Sequence, residues 1–250
     1  MKIILSGCGG KMGAFVTEAV KKKENCEIVC GVDIFNPGTL SYPVYNSFEK
    51  VNVESDVIID FSNPSNLDEI LEFTAKTKIP AVLCTTGYSD EQVEKIKKAS
   101  ENSAFLRSGN MSVGINLMME LAKTCAKALG TDFDVEIVEA HHNQKLDAPS
   151  GTALMLEKSV EEGLDYKPEI VYDRHERRQK RDKKEIGMHS IRGGTIVGEH
   201  EIIFAGQDEI IKIEHTALSR NIFAVGALNA AVFLKDKKSG LFSMSDVIKS

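Results

Sequence analysis

The first 33 residues constrain the fold of this chain more than any other feature. "KIILSG" is a short apolar strand and "GCGGKMG" a glycine-rich turn. The segment that follows sets Met12, Phe15, Val16, Ala19 and Val20 on one helical face. "CEIVCGVD" then reads as a second strand ending in Asp33. Strand, helix and strand in so short a span imply two parallel strands joined by a crossover helix that lies on the sheet. The pattern recurs: "SDVIIDFS" is a strand, "NPSNLDEILEFTAKTK" a helix, "IPAVLCTTG" a strand and "SDEQVEKIKKASEN" a helix that Ser89 or Asp90 caps, before "SAFLRSGNMSVG" ends the series. Such alternation predicts an α/β fold, a Rossmann-like doubly wound parallel sheet.

From about residue 112 the texture changes. "INLMMELAKTCAKAL" is a strongly amphipathic helix, and in "DFDVEIVEA" Phe133, Val135 and Ile137 alternate with acids, as in a strand with one covered face. "GGTIVGEHEIIFAGQDEIIKIEHTA" reads as two strands around a turn. A second, α+β domain with a more open sheet is expected. Residues 173–185 mix seven Arg or Lys with four Asp or Glu, and a run of mixed sign reads as a solvated helix or loop.

Composition narrows the function. A net charge of −6 argues against a general nucleic-acid binder, which gains affinity by neutralising phosphates with a basic surface. No run approaches the roughly 20 apolar residues of a membrane span, and the amino terminus lacks the features of a signal peptide, so the expectation is a cytoplasmic protein without membrane contact. The five cysteines are odd in number and form no CxxC pair, which predicts reduced thiols.

Two stretches carry chemistry. In the first turn, Gly7, Gly9, Gly10 and Gly13 let the chain bend sharply and let a pyrophosphate approach a helix amino terminus, whose amides and dipole favour negative charge. A strict GxGxxG is broken by Met12, but Asp33 stands where an acid accepts from the adenosine ribose, so a nicotinamide dinucleotide is the expected guest. Asp33 repels the 2′-phosphate of NADPH and Ile34 offers it no positive partner, although Lys11 can reach a phosphate; NADH is expected to serve at least as well as NADPH. "CTTGY" and "SGNMSVG" follow strands of the same sheet, which makes Thr85, Thr86, Asn110 and Met111 candidates for the nicotinamide half; Cys84 reads as a small packed side chain.

The second stretch is "EAHHNQKLDAPSGTAL", residues 139–154. Ser150 can cap the helix that follows, its first amides can take a carboxylate, and Lys145 adds a full positive charge. His141 or His142 can carry a proton near neutral pH. The reading is a site for an anionic small molecule; a metal is not expected, because the paired histidines lack an evident third ligand.

In these residues the sequence resembles the 4-hydroxy-tetrahydrodipicolinate (dihydrodipicolinate) reductases of lysine and diaminopimelate synthesis. "GCGGKMG", "IIDFSNP", "CTTGY", "GNMSVGIN", "EAHHNQKLDAPSGTA", "IRGGTIVGEH", "HTALSRNIFAVGA" and "GLFSMSDVI" occur in the family's order over nearly the whole chain. The resemblance implies a dinucleotide domain over 1–111 completed by 220–250, a substrate and oligomerisation domain over 112–219, and a homotetramer. It implies hydride transfer from NAD(P)H to an unsaturated ring dicarboxylate, with His141 and Lys145 as the proton-handling pair and His142, Gly151 and Thr152 binding substrate. It maps the cofactor contacts to Gly7, Cys8, Gly9, Gly10, Lys11 and Met12, to Asp33, to Cys84, Thr85 and Thr86, and to Ser108, Gly109, Asn110 and Met111. The chain departs from the common pattern at Asn143-Gln144, Cys84, Met111 and Ile34. Another amino-acid dehydrogenase of the same plan would leave the Lys145 to Thr152 motif unexplained, and a non-catalytic dinucleotide sensor would have no use for His141 and Lys145.

Overall fold

A computed structural model of the chain describes residues 1–175 and 177–250; Glu176, within the charged run, lies outside the described residues. The chain divides into two compact units, Met1–Val113 with Arg220–Ser250, and Gly114–Ser219.

The first unit begins with β1 (Lys2–Ser6), α1 (Lys11–Lys21) and β2 (Glu27–Val32), the expected parallel pair and crossover helix. β3 (Val44–Tyr45), β4 (Val57–Asp60), α2 (Leu67–Thr77), β5 (Ala81–Leu83), α3 (Asp90–Ala99) and β6 (Ala104–Arg107) follow. β4 and β5 are buried at every position, as befits strands covered on both faces, and this is why they read as unbroken apolar runs. Ser89 heads α3 in a reciprocal capping box with Gln92.

The second unit holds α4 (Val113–Leu129), β7 (Asp134–His141), α5 (Gly151–Glu161), β8 (Glu169–Val171), β9 (Glu185–Arg192), β10 (Gly198–Ala205) and β11 (Ile210–Ala217). Its five strands run in the order β11-β10-β7-β9-β8, antiparallel on one side of β7 and parallel on the other. Val135 and Ile137 of β7 pack with Ile115, Met118 and Ala122 of α4 and Leu156 of α5 in one core. Glu136 takes the opposite face, so the alternation read from the sequence marks which side the helices cover.

The charged run is a loop, as expected, and most of its described residues are exposed. Within it Arg174 and Arg181 are half-buried, and these two and the exposed Arg177 make ion pairs. Arg181 reaches Asp134 at 2.8 Å and Glu136 at 3.1 Å, while Arg174 reaches Glu185 at 2.6 Å. Glu185 is buried and Glu136 partly so, and each carboxylate needs a cation there; Glu136 and Asp134 lie 45 and 47 residues from Arg181, so those pairs leave no mark on the local charge pattern.

The chain then returns to the first unit with α6 (Asn221–Leu234), β12 (Gly240–Phe242) and α7 (Met244–Ile248). β12 pairs in parallel with β6, completing a seven-stranded sheet of order β12-β6-β5-β4-β1-β2-β3. α6 is apolar almost all round, and its buried Ala224, Ala227, Ala230 and Ala231 lie in the core shared by α1 and the sheet. A Cβ on Gly226 would run into the Met111 carbonyl, so the glycine is what lets α6 approach this loop. A Rossmann-like parallel sheet and a second mixed-sheet unit match the fold class expected from the sequence.

Candidate active site

In the first unit the turn after β1 is built by backbone demands. Gly7 adopts φ +79°, and a Cβ there would strike the Phe61 carbonyl. The third glycine of a phosphate-binding turn, absent at Met12, is supplied one residue later: a Cβ on Gly13 would strike the carbonyls of Gly7 and Cys8, so Gly13 brings α1 tight against the turn. Gly10 heads α1 without a side-chain cap, and the first turn carries no acid. Its amides and the exposed Lys11 therefore present positive charge to an anion.

Asp33 directly follows β2 beside this turn. Its Oδ2 accepts from the Gly9 amide at 2.9 Å and its Oδ1 from the Phe35 amide at 2.9 Å. A cavity of about 430 Å³ opens here, lined by Gly7, Gly10, Asp33, Ile34, Phe61 and Asn63 among others. An uncapped helix start, a glycine turn and a strand-end carboxylate around one cavity fit the pyrophosphate and ribose of a dinucleotide.

The remaining cofactor candidates divide into two sets. Cys8, Cys84 and Met111 have buried side chains in the core, so what they present to a ligand is backbone; burial pushes the Cys8 thiol up to about 11. Thr86 and Gly109 are exposed, while Ser108 and Asn110 brace each other, the Ser108 hydroxyl donating to the Asn110 carbonyl at 2.7 Å. Thr85 is buried and its hydroxyl donates to Asp60 at 2.7 Å. Asp60 also accepts from the Ser62 hydroxyl at 2.5 Å and the Tyr88 hydroxyl at 3.3 Å, so one wholly buried carboxylate fixes the loops after β4 and β5.

In the second unit, Glu139 and His141 continue the face of β7 that carries Val135 and Ile137, and so lie on the side covered by α5. His141 Nδ1 is 2.6 Å from Glu139 Oε2. Arg192 on β9 meets the same carboxylate with both terminal nitrogens, at 2.9 and 2.8 Å, and the Ser150 amide donates to it at 3.1 Å. Burial alone would raise the Glu139 carboxyl, but hydrogen bonds from Arg192, His141 and Ser190 outweigh it and hold the group at about 2. Burial pulls His141 below its ordinary value in spite of Glu139 beside it.

Ser150 caps α5 by accepting from the Ala153 amide at 3.1 Å, and its hydroxyl lies 3.2 Å from His200 Nε2. His200 crosses the His141 ring edge-on at 5.2 Å between centroids; burial, then His141, pushes it down to about 4, so it is neutral at pH 7. Lys145 pairs with Asp147 at 2.8 Å on the loop between strand and helix, and His142 closes the turn there by accepting from the Lys145 amide at 3.1 Å. A Cβ on Gly151 would meet nothing within 4 Å, so the first residue of α5 borders open space. The expected residues of this stretch thus gather at one strand end and one helix start.

Glu139, Arg192 and His200 join them without having been picked out from the sequence. All three lie inside "EAHHNQK" or "IRGGTIVGEH", and those motifs were the available signal. Among the described residues no group of three or more His, Cys, Asp or Glu is placed to hold a metal.

Comparison with known proteins agrees with this geometry. Residues 1–111 match the family described as Dihydrodipicolinate reductase, N-terminus, and residues 114–248 its C-terminus. A 4-hydroxy-tetrahydrodipicolinate reductase of Clostridium novyi (strain NT) is 48% identical over 250 residues, covering 100% of this chain and 98% of the relative. One from Clostridium tetani (strain Massachusetts / E88) is 47% identical with the same coverage. Among solved structures, a dipicolinate-bound dihydrodipicolinate reductase from Paenisporosarcina sp. TG-14 superposes with a TM-score of 0.80 at 26% identity, covering 97% of each chain. Fold and site define a dinucleotide-dependent oxidoreductase with separate nucleotide-binding and mixed-sheet units. With both halves matched over nearly its full length, the chain belongs to the dihydrodipicolinate reductase family.

Proposed function

We propose that the chain reduces 4-hydroxy-tetrahydrodipicolinate, through its dehydrated form, to tetrahydrodipicolinate with NAD(P)H in lysine and diaminopimelate synthesis, and that His141 carries the proton. The observation that carries this reading is the Glu139–His141 pair beside the start of α5, where Lys145 and helix amides gather positive charge. The bound cofactor supplies a hydride. Addition of a hydride to the ring of the dehydrated substrate pushes an electron pair onto the neighbouring carbon, which must then take a proton. His141 gives it, through the Nε2 that Glu139 leaves unengaged.

The seat for the two carboxylates follows from the same residues. The amides of Gly151 and Thr152 at the head of α5 take one, aided by the helix dipole, with Ser150 holding the turn in shape. Lys145 exchanges Asp147 for a substrate carboxylate, and His142 lies beside it. Two negative charges beside His141 raise its affinity for a proton, offsetting the burial that keeps it neutral in the free protein. The Paenisporosarcina relative holds dipicolinate, a planar ring with two carboxylates, which is the ligand chemistry this seat is built for.

Gly7 to Met12, Asp33, the Cys84–Thr86 loop and the Ser108–Met111 loop hold the dinucleotide in this reading. NADH serves at least as well as NADPH, since Asp33 opposes a 2′-phosphate and Ile34 brings no charge to it. A homotetramer built through the second unit's sheet, in the cytoplasm, completes the proposal. The test is oxidation of each cofactor by the purified protein, with substrate generated in place by its upstream synthase. The expected result is rapid oxidation that requires the synthase product, with kcat/KM for NADH at or above that for NADPH. A folded protein that binds NADH but oxidises neither cofactor would contradict it.

A further inference from the structure

We infer that Glu139 is the positioning residue of this site: it fixes the His141 ring with Nδ1 inward and Nε2 outward, and ties that ring to the capping residue of the helix that receives the substrate carboxylate. The inference rests on the reading of His141 as proton carrier and adds a residue that sets its direction.

Three observations support it. Glu139 is wholly buried, and both of its oxygens are occupied: Oε2 by His141 Nδ1 and Arg192, Oε1 by Arg192 and the Ser150 amide. The two-pronged Arg192 contact fixes the plane of the carboxylate, and a fixed acceptor on Nδ1 decides which nitrogen of a neutral imidazole carries hydrogen. The outward nitrogen has been left room, because a Cβ on Gly198 would stand 3.1 Å from His141 Nε2. Through the Ser150 amide the same carboxylate holds the cap of α5, so proton delivery and carboxylate binding share one anchor.

The charged and titratable groups facing His141 are Glu139 on its own strand, Arg192 on β9, His200 on β10 with His215 beyond it on β11, and Lys145 on the loop. Only Glu139 favours the charged ring, while Lys145 and Arg192 oppose it. Neutralising Glu139 therefore lowers the proton affinity of His141 further. Where proton donation needs the protonated ring, the limb of the kcat profile lost on raising the pH moves to lower pH.

Nitrogen-15 NMR of the full-length wild-type protein reads the tautomer directly. Neutral His141 with its proton on Nδ1 is expected; a proton on Nε2 would overturn the inference without any variant being made. In Glu139→Gln, kcat is expected to fall tenfold or more while the Kd for NADH stays within about twofold, with the basic limb displaced to lower pH. A smaller fall, or an unmoved limb, contradicts the proposal, and a variant that does not fold leaves the wild-type spectrum to decide. If His141→Ala turns over as fast as wild type, the proton-carrier reading has failed, whereas the tautomer still reports whether Glu139 holds the ring.

Discussion

Single residues set the pH response of the second unit and, in the proposed reading, its chemistry. Glu139 is held at about 2 against an ordinary 4.5, so its folded form binds protons less readily than its unfolded form. Its contribution is complete above about pH 4.5 and is lost as the pH falls towards 2, amounting to about 3 kcal/mol. His200, neutral down to about 4 against an ordinary 6.5, adds a loss that begins higher, as the pH falls below 6.5. Urea unfolding followed by a probe in the second unit is therefore expected to show stability falling steadily from pH 7 to pH 3; a flat profile would remove Glu139 and His200 as its cause. His141, Lys145 and Ser150 were legible because they share one short stretch at a strand-to-helix junction. Glu139 stands in that stretch too, yet its role needs Arg192, which is 53 residues away and arrives only by strand pairing.

Among the elements, helix starts and close approaches are the sensitive points. Ser150→Ala removes the cap of α5 and the contact with His200, which is expected to cost about 1 kcal/mol and to raise KM for the dicarboxylate more than KM for NADH. Steady-state kinetics in both substrates checks it, and an equal rise in both would speak against a carboxylate seat at α5. Gly226→Ala puts a methyl group into the Met111 carbonyl, where backbone rather than a flexible side chain must yield, and is expected to destabilise by about 1–3 kcal/mol. Denaturant midpoints would show it, and an unchanged midpoint would mean that α6 can move aside. The crossover helices could be read from their helical periodicity, and β1, β2, β4 and β5 from the apolar runs that contain them. β3 has two residues and β12 three, and neither lies in a longer apolar run, while β9 loses its alternation because its first four positions are all buried.

At the scale of the whole molecule the chain divides into two units. In the proposed reading one supplies the glycine turn, Asp33 and the loops after its strands for the cofactor, and the other supplies Glu139, His141, Lys145 and the start of α5 for the substrate. The return of the carboxyl-terminal segment to the first sheet has no local signature, since β12 is identified by its pairing with β6 rather than by its composition. A tetramer predicts a native mass about four times 27.5 kDa, and a monomeric mass at working concentrations would contradict it. The division of labour is tested most directly by His141→Ala/Lys145→Ala, assayed for NADH binding and for turnover of the synthase-generated substrate. The account predicts turnover abolished with NADH affinity nearly unchanged; retained turnover, or a loss of NADH binding as large as the loss of turnover, would contradict it.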